Sequence, residues 1–133
     1  VNAKFMSLYE KNPEEVLNFL NNRCLSKNGG IAIWGTGVWG QKIFEMFNGF
    51  NLRIDCFIDS NEKKIGHFFN DIEIKGIDFL KDYEGSLFIA VADHDEEIRK
   101  SIGSINPSLL ANAYFLSEFK KDCAELYDEI YGE

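Results

Sequence analysis

The feature that most constrains the fold is a glycine-rich turn between an apolar run and an amphipathic pattern. The segment reads IAIWGTGVWGQKIF and carries glycines at Gly35, Gly37 and Gly40. The four residues before the turn are apolar on both faces, which indicates a short buried strand. Apolar residues after the turn recur at helical spacing, which indicates a helix. This order predicts the first strand and helix of a βαβ unit.

Each glycine has its own physical role in such a turn. Gly35 lets the chain leave the strand, Gly37 lets a pyrophosphate approach the backbone, and Gly40 lets the helix pack against the strand. The helix start then offers free N–H groups and a positive dipole end to the anion. The predicted phosphate loop is completed by the residues between the glycines, Thr36, Val38 and Trp39. Two roles stay open for the Trp39 side chain, stacking on a base or sugar and packing against a neighbouring segment.

An acidic residue follows the second predicted strand, Leu52–Ile58. Asp59 lies nineteen residues after Gly40, close to the ~20-residue offset of a ribose-binding acid. An Asp at this position binds ribose hydroxyls or caps a turn, and both roles stay open. Ser60 joins it as a candidate binding residue. With a nicotinamide cofactor, Asp59 would favour the form without a 2′-phosphate.

The strongest strand signal is SLFIAVA. Its last residue, Ala92, and the two residues that follow, Asp93 and His94, are three further candidate binding residues. Ligands of open α/β sheets bind outside the carboxyl ends of the strands, so this loop should border the same crevice. His94 is a candidate phosphate donor or base. We favour a solvated or helix-capping His94, because the sequence names no partner for a catalytic role.

Strands and helices alternate along the chain, which predicts one α/β domain. We expect a three-layer Rossmann-like fold with a mainly parallel sheet and helices on both faces. Residues 68–74 indicate a small hairpin or extended piece, and a stripe on the final helix indicates a docking face or, less favoured, a homodimer seam. The predicted parts are an N-terminal helical segment (1–29), a nucleotide-binding core (30–116) and a C-terminal helix (117–133).

Composition narrows the function classes. The 133 residues have a net charge of −8, and the lack of a basic cluster argues against a nucleic-acid binder. No apolar stretch reaches the ~18 residues of a membrane span. The three cysteines, Cys24, Cys56 and Cys123, are widely spaced, which indicates reduced, small apolar residues in a cytoplasmic protein. No metal site is predicted.

Three segments together resemble a group of bacterial Rossmann-like domains. They are IAIWGTGVWGQKIFEMF, IDCFIDSNEKKIGHFFNDIEI and LFIAVADHDEEIRKSI. The group includes the N-terminal nucleotide-sugar-binding domains of sugar acyltransferases and the nucleotide-binding domains of polysaccharide-biosynthesis dehydratases. It also includes small domains attached to glycan-modifying methyltransferases. The resemblance covers residues 30–103 and implies that the three glycines, Asp59, Ala92 and Asp93 line a nucleotide site.

The chain also departs from this group. Asp71 stands where a Gly is usual, and Glu73 where a Pro is common, which leaves the turn type of that segment open. The chain has no hexapeptide-repeat acyltransferase domain and no Tyr-x-x-x-Lys pair of dehydrogenase or epimerase catalysis. Ile33 stands where the common methyl-donor sites carry an acid. We therefore name no catalytic residue and leave open whether the chain is an enzyme.

The favoured interpretation is a nucleotide- or nucleotide-sugar-binding module in bacterial surface-polysaccharide biosynthesis. Its ligand would be NAD or a UDP-sugar nucleotide. It would be part of a larger protein or work with a partner, as a homodimer or with an attached catalytic domain. Two alternatives stay open: a small NAD-dependent oxidoreductase or epimerase-like enzyme, and a ligand-free regulatory or assembly domain. A phosphate loop blocked by Trp39 would favour the last.

Overall fold

The computed structural model describes residues 3–20 and 29–132. The helices in these ranges are α1 (Ala3–Lys11), α2 (Pro13–Leu20), α3 (Val38–Gly49), α4 (Asp95–Ile105), α5 (Leu116–Asp122) and α6 (Ala124–Tyr131). The strands are β1 (Ile31–Trp34), β2 (Ile54–Ile58), β3 (Phe68–Phe69), β4 (Ile72–Lys75), β5 (Ser86–Ile89) and β6 (Ala113–Phe115). Two 3-10 helices cover Ile77–Asp82 and Pro107–Asn112.

The strands form a six-stranded sheet in the order β3-β4-β2-β1-β5-β6. Strand β1 runs parallel to both β2 and β5, β2 runs parallel to β4, and β5 runs parallel to β6. The β3–β4 pair is antiparallel. Trp34, the last residue of β1, pairs with Ile58 on one side and Ile89 on the other, so three strands end at one edge. The predicted α/β class with a mainly parallel sheet is confirmed.

Alternate side chains of the central strands belong to two separate hydrophobic clusters, as the pleat of a strand requires. The first cluster contains Ile31, Ile33, Phe57, Phe88 and Tyr114, with apolar residues of α1, α2, α3, α5 and α6. The second contains Ala32, Trp34, Cys56, Ile58, Leu87 and Ile89, with apolar residues of α4 and both 3-10 helices. Burial on both faces explains why β1 is apolar throughout and why β5 is apolar after Ser86.

The segment predicted as a hairpin or extended piece is a hairpin made of β3 and β4. Its two turn residues, Asn70 and Asp71, have φ of 51° and 65°. Both angles are left-handed, which suits a two-residue hairpin turn and which Asn and Asp tolerate better than most residues. Asp71 thus occupies a left-handed conformation that Gly adopts without strain. The turn type, which the sequence left open, is a two-residue turn with positive φ at both positions.

The single C-terminal helix predicted over 117–133 is observed as two helices, α5 and α6. They meet at Cys123, whose backbone leaves the helical region with φ −133° and ψ 59°. The break has a tertiary cause, because the Leu126 N–H in the first turn of α6 donates to Glu15 Oε1 of α2 at 2.8 Å. Phe119, Cys123 and Leu126 are fully buried against the core. Ile130, the fourth residue of the predicted stripe, is partly buried against the same core, so the stripe docks within the chain.

The predicted N-terminal helical segment, 1–29, contains two helices in its described part, α1 and α2. Cys24 lies outside the described residues. The thiols of Cys56 and Cys123 are free and buried. Burial raises the pKa of Cys56 to about 12 and that of Cys123 to about 11. Both therefore act as small apolar residues, as predicted.

None of the helices in the described part of the chain has the length and apolar character needed to cross a lipid bilayer.

Candidate functional site

Two glycines of the turn are required by the fold itself. Gly35 has φ +119°, which L side chains rarely adopt, and a Cβ there would lie 2.9 Å from the carbonyl oxygen of Ala90. A Cβ on Gly40 would overlap the carbonyl oxygen of Gly35. The glycine turn therefore packs closely against the start of α3 and against Ala90, which follows β5. Neither Gly35 nor Gly40 has room for a side chain.

Gly37 has different surroundings. Its φ of −81° and ψ of −161° are ordinary extended backbone. A Cβ built there would meet no atom within 4 Å, because the space beside this residue is open. Neither the backbone conformation of Gly37 nor a neighbouring atom therefore requires a glycine at this position.

Helix α3 starts at this open position. Gly37 is the N-cap residue, and no side chain caps the helix. The first backbone hydrogen bond of the helix runs from Gln41 N–H to Gly37 O at 3.0 Å. The Gln41 side chain donates to Thr36 O at 3.1 Å and holds the turn from its other side. The N–H groups of residues 38–40 precede that first bond, so the helix itself supplies no acceptor for them.

Asp59 lies beside the turn, at the carboxyl end of β2. Thr36 Oγ1 donates to Asp59 Oδ2 at 2.6 Å, and Asn61 N–H donates to Asp59 Oδ1 at 2.8 Å. Lys64 Nζ lies 3.2 Å from Thr36 Oγ1 and 3.8 Å from Asp59 Oδ2. Asp59 therefore does cap its own loop, and it also bonds directly to the glycine turn. A carboxylate offers about four acceptor sites, so these bonds leave capacity for a ligand hydroxyl.

The Trp39 side chain packs on α6. Its ring centroid lies 4.8 Å from that of Tyr131 and 6.4 Å from that of Tyr127. Tyr131 Oη also donates to the Trp39 carbonyl oxygen at 2.8 Å. Of the two roles left open, Trp39 therefore takes packing against a neighbouring segment. Its ring leaves the space beside Gly37 open, because a Cβ built on Gly37 would meet no atom within 4 Å.

The loop after β5 carries the remaining candidates. Ala92, Asp93 and His94 are all exposed. His94 precedes α4 with φ 74°, and its Nδ1 lies 3.2 Å from Glu97 Oε1. His94 is thus a solvated residue at a helix start that pairs with the first turn of α4.

The structure brings four of the predicted residues to one cleft of about 390 Å³. They are Gly35, Asp59, Ser60 and His94. The rest of the lining consists of Trp34, Ile77, Val91, Glu97, Ile98 and Ser101. Gly37, Val38 and Trp39 do not line the cleft, nor do Ala92 and Asp93. The site therefore has two adjoining parts, an open helix start at Gly37 and a cleft that extends from Gly35 toward α4.

Sequence reasoning did not identify several of these lining residues. Glu97, Ile98 and Ser101 follow His94 at spacings of three, four and seven, which place them on one side of α4. That spacing could have identified these three residues from the sequence. Ile77 carries no such signal, because only the strand order brings its 3-10 helix to this edge of the sheet. In the described ranges, no cluster of His, Cys, Asp or Glu side chains is arranged to hold a metal ion.

Comparison with known proteins gives one match. A family model described as C2185-like, N-terminal, matches residues 27–108. No curated protein and no solved structure matches the chain. The matched residues include β1 to β5, the glycine turn, Asp59 and α4, and they make up more than half of the chain. The chain therefore belongs to the C2185-like N-terminal domain family.

Proposed function

We propose that the chain is a nucleotide- or nucleotide-sugar-binding module whose phosphate site is the start of α3. The observation that carries the proposal is the open space at Gly37, between two glycines that the fold itself requires. Backbone N–H groups and the positive end of the α3 dipole face that space, an arrangement that favours a phosphate anion. Local dipoles would thus hold the anion despite the chain's net charge of −8.

The strand order supports the same proposal. In chain order the parallel strands are β1, β2, β4, β5 and β6, and they lie as β4-β2-β1-β5-β6. These five strands match the first five of the 3-2-1-4-5-6 order of dinucleotide-binding sheets, which bind ligands where the strand order reverses. Here that point lies between β1 and β5, next to the glycine turn. With hydrophobic clusters on both faces, we assign the chain a three-layer Rossmann-like architecture.

The neighbouring residues suit the rest of a nucleotide. Asp59 would accept a hydrogen bond from a ribose hydroxyl, and Lys64 adds a cation beside the turn. The cleft has an apolar floor, with Trp34 and Ile98 each 7% exposed, and a polar rim at Ser60, Glu97 and Ser101. An apolar surface with a few placed polar groups fits a base or a sugar. NAD and a UDP-sugar both meet this description.

Bacterial surface-polysaccharide biosynthesis and a cytoplasmic location follow from the resemblance of residues 30–103, and both are part of the proposal. A binding role fits the chain better than a catalytic one, because His94 is exposed and bonded to Glu97. The chain would then present its nucleotide to an attached or partner catalytic domain.

A thermal-shift panel tests the proposal. The purified chain is heated with NAD, NADP, UDP, UDP-N-acetylglucosamine, coenzyme A and S-adenosylmethionine. A ligand at 100 times its Kd adds about 2.7 kcal/mol of stability, which raises Tm measurably. Gly37→Val is the matched control. The Cβ of the new side chain would meet no atom within 4 Å, so the variant should fold while its side chain fills the phosphate site.

Each outcome of the panel has a distinct meaning. A shift with uridine nucleotides that is lost in Gly37→Val supports a glycan-biosynthesis module. A shift with NAD alone supports the oxidoreductase alternative. No shift with any compound overturns the proposal and favours a ligand-free assembly domain.

A further inference from the structure

A cluster of three aromatic side chains joins α6 to the glycine turn. Its members are Trp39, Tyr127 and Tyr131, and we call it the aromatic clamp. The Tyr127 and Tyr131 rings lie 5.0 Å apart, and Tyr131 lies 4.8 Å from Trp39. The Tyr131 hydroxyl donates to the Trp39 carbonyl oxygen at 2.8 Å. The clamp thus combines ring packing with one directed hydrogen bond to the backbone of α3.

The position of that hydrogen bond matters for the proposed phosphate site. Trp39 is the second residue of α3. Its carbonyl oxygen and the N–H of Gly40 belong to one planar peptide unit, in which the two groups point in opposite directions. In α3 this oxygen also accepts the N–H of residue 43, so the Tyr131 hydroxyl is a second donor. It further restrains the orientation of the Gly40 N–H, one of the groups that precede the first intrahelical bond.

Helix α6 is itself held firmly enough to orient the turn. Glu15 Oε1 accepts the Leu126 N–H at 2.8 Å, and Lys11 Nζ lies 3.3 Å from Glu129 Oε1. Leu126 is fully buried. Burial also raises the pKa of Tyr131, so its hydroxyl keeps its proton and remains a donor over the working pH range.

We infer that Tyr131 is a positioning residue of the phosphate site and that α6, outside the family-matched residues 27–108, tunes anion binding through the aromatic clamp. The inference rests on the proposed function and extends it. Because coupling between sites is reciprocal, occupancy of the glycine turn also stabilises the seating of α6. A partner or attached domain that moves α6 would then change nucleotide affinity.

Tyr131→Phe tests this inference, with Tyr114→Phe as the matched control. Each change removes one hydroxyl, and the Tyr114 hydroxyl bonds to Asp122 at 3.1 Å, away from the turn. Tyr131→Phe should weaken binding of the nucleotide that shifts the wild-type Tm, by up to about fivefold, the value of one whole hydrogen bond. Tyr114→Phe should lower Tm with unchanged affinity. Equal affinity in wild type and Tyr131→Phe would overturn the inference.

A second measurement needs no ligand and so separates this inference from the proposed function. In amide NMR spectra of the free chain, Tyr131→Phe should shift the Gly40 resonance, and Tyr114→Phe should leave it in place. An unchanged Gly40 resonance in Tyr131→Phe would overturn the clamp even if nucleotides bind. A shifted Gly40 resonance in a chain that binds none of the panel would overturn the proposed function and leave the clamp as a backbone-positioning contact.

Discussion

Glycines have different surroundings at the two ends of the parallel strands. The amino edge is the side of the sheet where these strands begin, and the carboxyl edge is the side where they end. At the amino edge, the Asp55 carboxylate accepts hydrogen bonds from Tyr83 Oη at 2.7 Å and Arg53 Nε at 3.0 Å. A Cβ on Gly30 would overlap that carboxylate, and a Cβ on Gly85 would overlap the Gly30 carbonyl oxygen. The chain itself fills the space beside both of these glycines.

At the carboxyl edge, the three glycines of the turn are not equivalent. Gly35 and Gly40 lie so close to backbone atoms that a Cβ would not fit, and the amino-edge glycines are equally enclosed, whereas Gly37 faces open space. Glycine by itself therefore does not mark a binding edge, since close packing requires it at both ends of the sheet. The distinguishing feature is unfilled space beside a helix start. The predictions below test this contrast through the free energy of unfolding, from the largest expected effect to the smallest.

Gly40→Ala should have the largest effect. Its new Cβ would overlap the Gly35 carbonyl oxygen, and backbone cannot move aside as a flexible side chain can. Overpacking of this kind costs about 3 kcal/mol of unfolding free energy, which urea denaturation would measure. A wild-type midpoint in Gly40→Ala would show that the turn is not closely packed against α3.

Alkaline pH should destabilise the sheet interior between the two edges. The pKa of the Cys56 thiol is raised to about 12 in the folded chain, mainly by burial, against about 8.5 when unfolded. Below pH ~8.5 both states keep the proton, so the stabilisation is fully present there. Above it the unfolded state loses the proton first, and stability falls by about 1.4 kcal/mol per pH unit for this thiol. Urea titrations from pH 8 to 10.5 would show the decline, and Cys56→Ala should make it shallower. An equal slope in Cys56→Ala would contradict the assignment.

Tyr83→Phe tests the closed amino edge. It removes the hydroxyl that donates to Asp55, and loss of this bond should lower the unfolding free energy by about 1 kcal/mol. Thermal shifts with nucleotides should match those of wild type, because the contact lies at the opposite edge of the sheet. A smaller rise in Tm with nucleotide in this variant than in wild type would show that the amino edge also affects binding.

Gly37→Ala should have the smallest effect on stability. The position is exposed, has an ordinary φ of −81° and leaves room for a Cβ. The unfolding free energy should stay within about 0.5 kcal/mol of wild type, because two small effects oppose each other. Ala caps a helix less well than Gly, which destabilises the folded chain. Ala also makes the unfolded chain less flexible, which stabilises the fold. Urea denaturation beside Gly40→Ala gives the comparison. A loss as large as that of Gly40→Ala would show that Gly37 also serves the fold.

Local sequence patterns predicted much of the fold but not how its pieces meet. The apolar run before Gly35 predicted β1 because both faces of that strand are buried, and the same argument predicted β5. The break between α5 and α6 was not predictable, since it depends on a hydrogen bond between Leu126 and Glu15, 111 positions apart. The packing of Trp39 on Tyr131, 92 positions away, was beyond local reasoning for the same reason.

The sequence by itself determined the alternation of strands and helices, the glycine turn and the acid that follows β2. These features depend on the spacing of residues that are close together in the sequence. At that range, backbone sterics and hydrophobic periodicity determine the local structure directly. The tertiary structure alone decided which glycine faces open space, which residues of α4 line the cleft and where α6 meets the turn. Those features depend on contacts between residues far apart in the chain, which form when the two hydrophobic clusters pack against the sheet.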